Sequence, residues 1–586
     1  MNPRRATLRP AAPPRLGRAA LPAVMPTVMP ALMPAVMLAV MLAVMLAVML
    51  CAFPAAAQNS VGDLKLAVTR FEVAGDNPLS AAETESVLAP HVRVHNSLEG
   101  LEAAAAALEA RLREGGYSFH RVIVPAQKPV GGVVRLEILK FPLASVTVQD
   151  NRHFSSDNIL RSLPSLKPGD TPDVRKISSD LGLANEHPAK RVNIVLKESR
   201  QADALDAEIR VRDYAPAQFF TLFSGNTKDR YDAINKGTGY TRLTMGYQNT
   251  NLFDRDHAVT LSYTTSPEHP ERVKQYGAFY TIPFYGYATS AQFYYTRSDV
   301  NTGAIGLAAT SFNVSGRGEF LGVRLTHSLP KWREITHTVS LAFDDKLFQS
   351  NVDVAAFAGS STLTEVRTRP LALRYTGRYE QLWGGIGAYV EQVTNLSGGS
   401  GNTPVAYAGA RNAVNTTAGC NVPPGCAPQR WSAFRYGLDF NYALGTWTVS
   451  TRVRGQQTDH QLVPGEQIGI GGVTAVRGLR EREFTGDIGH TVTFEASGPA
   501  LVDTLRPVVF FDYGQARLLG NAAVAGTTVN KDSASSIGVG ARWNRERKVD
   551  LSADLAYVLN GIAGSGNLPG TRTGDTKLMF TALFRF

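Results

Sequence analysis

From about Ala217 to the end, the chain is a series of short segments that alternate apolar and polar residues, and no run of eighteen apolar residues follows the N-terminal leader. A transmembrane helix needs about twenty mostly apolar residues in a row, so any membrane contact of this part must be made by strands. Strands cross a bilayer only as a closed barrel, because an open edge leaves backbone groups without partners in hydrocarbon. Thr241–Asn249 sets Leu243, Met245 and Tyr247 against Arg242, Thr244 and Gln248, and Ala258–Thr264 sets Val259, Leu261 and Tyr263 against Thr260 and Ser262. Val549, Leu551, Ala553, Leu555 and Tyr557 likewise oppose Asp550, Ser552 and Asp554. This period suits a barrel, and it suits a soluble sandwich equally well.

The connections separate the two. Sixteen such segments begin near residues 217, 239, 257, 273, 287, 318, 335, 364, 380, 431, 446, 489, 506, 535, 549 and 576. Short turns such as Phe284-Tyr285-Gly286 and Asn544-Arg545-Glu546 alternate with long connections, notably 393–430, 458–488, 515–533 and 559–574. Short turns on one side and long loops on the other are the asymmetry of an outer-membrane barrel. An even count returns the C-terminus to the side where the chain enters, and a sandwich gives no reason for that. The expectation is a 16-stranded antiparallel transmembrane β-barrel over 214–586, with the loop at 458–488 turned into its lumen.

Residues 1–57 read as an export signal. Arg4, Arg5, Arg9, Arg15 and Arg18 precede an Ala/Val/Met/Leu run from about Ala35 to Phe53, and Ala55-Ala56-Ala57 supplies small residues before Gln58. A retained inner-membrane anchor is the alternative, and translation could begin at an internal residue such as Met25. Leu50-Cys51 lacks the small residue that a lipidation site places before its cysteine. The leader holds five Arg and no acid, so subtracting it from the net +10 leaves +5. No basic run interleaves with aromatics, and nucleic acid is not an expected partner. Cys420 and Cys426 flank a Pro/Gly turn, which for an exported chain suggests a small disulfide loop.

Between the leader and the barrel, after a short lead-in at 58–66, one β-α-α-β-β order occurs twice, at 67–141 and 142–213, a spacing that indicates two copies of one module. In the first, Val68–Val73, Phe119–Val124 and Val133–Leu139 alternate, and Ser80–Leu88 and Leu98–Arg113 have helical character. Ser80 and Ser97 are candidate N-caps, and Gly115-Gly116 ends the second helix. In the second, strands at Val146–Gln149, Val192–Lys197 and Ala207–Val211 surround helices at Ser155–Leu163 and Pro172–Asn185. His91 and His95 stand four apart but read as surface residues of a linking stretch. No metal site, nucleophile elbow, phosphate loop or metalloprotease signature is found, so neither an enzyme nor a cofactor is expected. Asp503, Arg506, Arg452 and Arg454 are candidates to line the lumen, without an assigned role.

The two modules resemble POTRA domains, on their element order and on Ala74-Gly75-Asp76-Asn77, Glu114-Gly115-Gly116-Tyr117 and Asn185-Glu186-His187-Pro188-Ala189-Lys190-Arg191-Val192. Val476-Arg477-Gly478-Leu479 in the long 458–488 connection resembles the Val-Arg-Gly-Tyr motif of the POTRA-barrel superfamily, with Leu479 at the aromatic position. Phe510-Phe511-Asp512-Tyr513-Gly514 resembles the superfamily's Phe-x-Asp-x-Gly strand motif. The resemblance implies that Arg477 pairs with Asp512 and locks the loop inside the lumen, as a planar guanidinium can hold a carboxylate bidentately. The chain ends on Phe586, with Leu578, Phe580, Ala582 and Phe584 on the same face, which resembles the signal read by the barrel-assembly machinery.

With two modules and nothing after the barrel, the whole chain resembles the two-partner secretion transporters of TpsB type. That resemblance implies an outer-membrane protein with periplasmic POTRA modules, embedded in outer-membrane lipid. It would export a large, unfolded, Sec-delivered TpsA-like exoprotein, a haemolysin or adhesin, that the POTRA modules recognise. A general barrel insertase is the alternative, and a passive porin a third reading. Members of the group place a plug helix before the first module. Only Gln58 to Leu66 is available here, so no lumenal plug helix is expected.

Overall fold

Strands that alternate over ten or more residues bury one face and leave the other to a solvent of its own kind, and sixteen of them here close on themselves. The computed structural model describes residues 66–227, 239–299, 303–305, 312–314, 317–353, 361–412, 426–520, 530–546, 548–563 and 570–586. The expected export signal, the lead-in up to residue 65 with its plug-helix question, and Cys420 lie outside the described residues.

The barrel strands are Ala217–Asn226, Thr241–Leu252, His257–Thr265, Lys274–Phe284, Thr289–Ser298, Arg317–Trp332, Ile335–Asp353, Ser361–Gln381, Gly384–Asn395, Ser432–Leu444, Trp447–Gln457, Ile488–Ser497, Arg506–Arg517, Lys531–Arg545, Val549–Asn560 and Thr576–Arg585. The eighth is interrupted once, at Arg369, whose backbone N–H turns to the Asn395 side chain at 2.6 Å. Every neighbour is antiparallel, and the last strand pairs with the first from Met579↔Asn226 to Arg585↔Phe220. Each observed start lies within four residues of the start read from alternation. Leu321, Leu325, Leu341, Leu373, Val539 and Leu555 are exposed on the outer face, as a lipid-facing band requires.

The two N-terminal modules repeat one topology. In the first, Arg70–Gly75 pairs in parallel with Val133–Lys140, which pairs antiparallel with His120–Ile123. In the second, Leu143–Gln149, Leu205–Asp213 and Lys190–Glu198 do the same. Ser80 caps the helix Ala81–Leu88 through a reciprocal capping box with Glu83, a device worth about 1 kcal/mol. Ser97 does not cap: the helix Glu99–Glu114 starts from Leu98, which is already in a right-handed helical conformation, and no side chain satisfies its first N–H groups. The surface reading of His95 is also corrected. Its ring is buried, with Nε2 2.7 Å from the His91 carbonyl, because Val94–His95 forms a short ladder with Leu66–Ala67.

The second module is seated on the periplasmic turns of the barrel. Lys190, fully buried, donates to Asp256 Oδ2 at 2.5 Å and to Asn158 Oδ1 at 2.9 Å. Asn158 in turn donates to Asn251 and Asp256, Tyr285 donates to Asp256 at 2.6 Å, and Ser155 bonds Asp254. Buried polar groups that are all satisfied in this way fix one relative placement of the two bodies.

Candidate functional site

The inner face of the strand Arg506–Arg517 carries Phe510, Asp512 and Gly514 at every second position, and each meets one part of the lumenal loop. The Arg477 guanidinium lies 3.4 Å from the centroid of the Phe510 ring. Arg477 donates to Asp512 through Nε (2.7 Å), Nη2 (3.0 Å) and its backbone N–H (3.1 Å). Gly514 leaves room for the loop, since a Cβ there would stand 2.9 Å from a Val476 methyl and 3.0 Å from Ile470. Gly478 has φ +93°, and a Cβ would press on Val558 and Ala556 of a neighbouring strand. Leu479, where the motif has an aromatic residue, is buried with Ile470, Val476, Phe484, Leu518, Val558 and Ile562 in an apolar socket.

The pair sits in a charged ring drawn from four consecutive strands. Arg477 Nη1 is 3.0 Å from Glu495 and 3.6 Å from Asp554, and Arg542 bridges those two acids at 3.3 and 2.7 Å. Arg477 is 4% exposed and Asp512 0%, so Asp512 depends on Arg477 for its charge, while Arg477 also has Glu495 and Asp554. Breaking such a pair from one side costs about 3–5 kcal/mol.

The same loop is fastened at a second place. Glu466, also buried, accepts from Thr368 Oγ1 at 2.8 Å, Arg435 Nη2 at 3.0 Å and Lys346 Nζ at 3.3 Å, on the seventh, eighth and tenth strands. Beside it, Leu462 and Val463 pack with Phe320, Phe348 and Val366 near the outer ends of their strands. Tyr407 and Ala410 of a short helix, Pro404–Asn412, join that cluster from the preceding long connection. Asp487 ties these parts together: its carboxylate accepts from Arg411 (3.0 Å) and from the N–H groups of Leu462 (2.8 Å) and Leu519 (2.7 Å).

Residues 230–542, more than half of the chain, match the family described as Haemolysin secretion/activation protein ShlB/FhaC/HecB. The chain belongs to that family. Residues 66–140 match the POTRA domain of ShlB type. As a member of the haemolysin secretion/activation family, it is a two-partner secretion transporter of the outer membrane, with periplasmic POTRA modules. No curated protein matches the sequence. Among solved structures, CdiB from Escherichia coli is 16% identical with a TM-score of 0.65, over 92% of this chain and 93% of that one. CdiB from Acinetobacter baumannii is 16% identical with a TM-score of 0.60, over 96% and 100%. That likeness is one of fold.

The other residues singled out in the sequence fall in separate places. Arg454 donates to both oxygens of Asp439 at 2.9 and 2.8 Å, and Arg452 stands 3.3 Å from the same acid. Arg452 also lines a polar lumenal cavity with Arg477, Glu495, Arg542 and Asp554. Arg506 lines another cavity near the periplasmic rim with Leu222 and Arg542, whereas Asp503 is exposed in the turn before it, at φ +55°. Cys426 is disulfide-bonded. Phe586 exchanges backbone hydrogen bonds with Phe219 of the first strand, at 2.9 and 3.3 Å, and its side chain is exposed. Glu495 and Arg542 were not read from the sequence, and Asp554 was read only as a polar-face strand residue, although each is an inward polar position one or two strands from Asp512. Glu466 and Asp487 carry no local signal at all, and Lys190 was read only as part of a POTRA-like motif.

Proposed function

We propose that this transporter exports an unfolded, Sec-delivered TpsA-type exoprotein from periplasm to cell surface, and that the loop locked by Arg477 and Asp512 is its gate. The observation that carries this reading is a lumen crossed by one loop held through a buried, desolvated ion pair, above a periplasmic module bolted to the barrel rim. A structural strut would need no such charge, because apolar packing holds a loop as well and avoids the desolvation cost. The cargo would be captured by strand addition at a POTRA sheet edge. Leu143–Gln149 offers such an edge, pairing among the described residues with Leu205–Asp213 alone. Folding outside would bias the chain outward.

In the same reading residues 1–57 are the export signal, 58–66 a lead-in, 67–141 and 142–213 the two POTRA modules, and 214–586 the barrel. Phe586 is the residue that the barrel-assembly machinery reads, lipid surrounds the outer face, and Cys426 pairs with Cys420. Deleting residues 67–213, with the signal kept, tests the whole scheme. Export of a large β-helical exoprotein should stop while the barrel still inserts. Unchanged function would favour a passive porin, and loss of many unrelated outer-membrane barrels on depletion of the intact protein would favour an insertase.

A further inference from the structure

Two of the fastenings of the lumenal loop, at Arg477 and at Glu466, are chemically unequal. All the side-chain partners described for the Asp512 carboxylate belong to Arg477, so withdrawal of Arg477 strands a fully buried charge. The backbone on either side is also fitted closely to the wall, at Gly478 and opposite Gly514. At the other end the cations already have partners of their own. Lys346 lies 3.4 Å from Asp344 on its own strand, and Arg435 lies 3.8 Å from Glu391 on the adjacent one. When Glu466 leaves, both cations keep a carboxylate, and Glu466 gains water.

We propose, building on the gate reading above, that Glu466 is a second positioning residue for transport: it is the latch that releases, while Arg477–Asp512 stays closed as the pivot. Release frees the turn Pro464–Glu466 from the outer ends of the seventh, eighth and tenth strands, while Asp487 keeps its hold on Leu462 and, through Arg411, on the helix Pro404–Asn412. Asp344 and Glu391 act as competitors that lower the cost of release. Wall cations that keep a carboxylate whether the latch is on or off narrow the free-energy gap between the two positions, which a bistable gate requires. Glu466→Gln and Asp344→Asn should therefore shift the gate in opposite directions. The first removes the latch charge, and the second makes Lys346 depend on Glu466.

The test is single-channel recording of the full-length mature protein in planar bilayers without any cargo, so its failure would leave the export reading untouched. Heat-modifiability of the barrel on gels checks folding. Glu466→Gln is expected to raise the open time about tenfold and Asp344→Asn to lower it, in line with population shift between two states. If Glu466→Gln fails to insert, Thr368→Val removes one neutral donor to Glu466 and should raise the open time to a smaller degree. Wild-type conductance in all folded variants, or a shift of both charge variants in the same direction, would overturn the proposal.

Discussion

Lys190 of the second POTRA module and Asp256 of the first periplasmic turn form an ion pair of 2.5 Å in which neither side chain is more than 1% exposed. That module is thereby held to the entrance of the barrel. Lys190→Met removes the charge and keeps the stem, leaving Asp256 with Tyr285 and Asn158 as donors. A loss of up to about 3–5 kcal/mol in docking is expected. Faster hydrogen exchange at residues 251–256 would report it, in a variant whose barrel remains heat-modifiable.

The same interface should loosen in acid. Burial holds the His187 imidazole below its ordinary range, opposed by Asp256 and reinforced by Lys190 and Arg191. Its neutral form fits its neighbours: Nδ1 accepts from Ala189 N–H, and Nε2 donates to the Thr250 carbonyl at 2.8 Å. A depressed value means that the docking stability is whole above the undocked value of about 6.5 and declines as pH falls below it. Protection of residues 251–256 against exchange should drop as pH falls below about 6.5. His187→Gln should flatten that part of the profile.

Gly514 is set by space and not by backbone angle, since a Cβ would meet Val476 and Ile470. Gly514→Val should push the lumenal loop off the wall at a cost of about 1–3 kcal/mol, the usual range for overpacking. Protease cleavage within 458–488 in intact outer membranes measures this, and the expected change is from resistant to cut. Gly478→Ala should act in the same way through its positive φ.

Alternation with period two is a local property, and for that reason the strands could be read residue by residue, with starts at 217, 257, 335, 506, 549 and 576 reproduced in the fold. The parity of short and long connections then put 458–488 in the sixth outer loop. Arg477 and Asp512 were joined by resemblance to a motif, not by any pattern along the chain. What stayed hidden is what curvature brings together. Glu466 meets Lys346 across 120 positions, Arg411 meets Asp487 across 76, and Lys190 meets Asp256 across 66. The helix Pro404–Asn412 was read as plain loop, because its nine residues are fixed by burial against the wall and not by propensity.

Secretion of a candidate β-helical partner by cells carrying wild type, Arg477→Ala or Asp512→Ala, compared at equal levels of inserted barrel, tests the gate most directly. Loss of the buried pair should reduce export at least about tenfold in each variant, since that corresponds to only about 1.4 kcal/mol of the 3–5 kcal/mol at stake. Normal secretion by both variants, with barrels as stable as wild type, would contradict it.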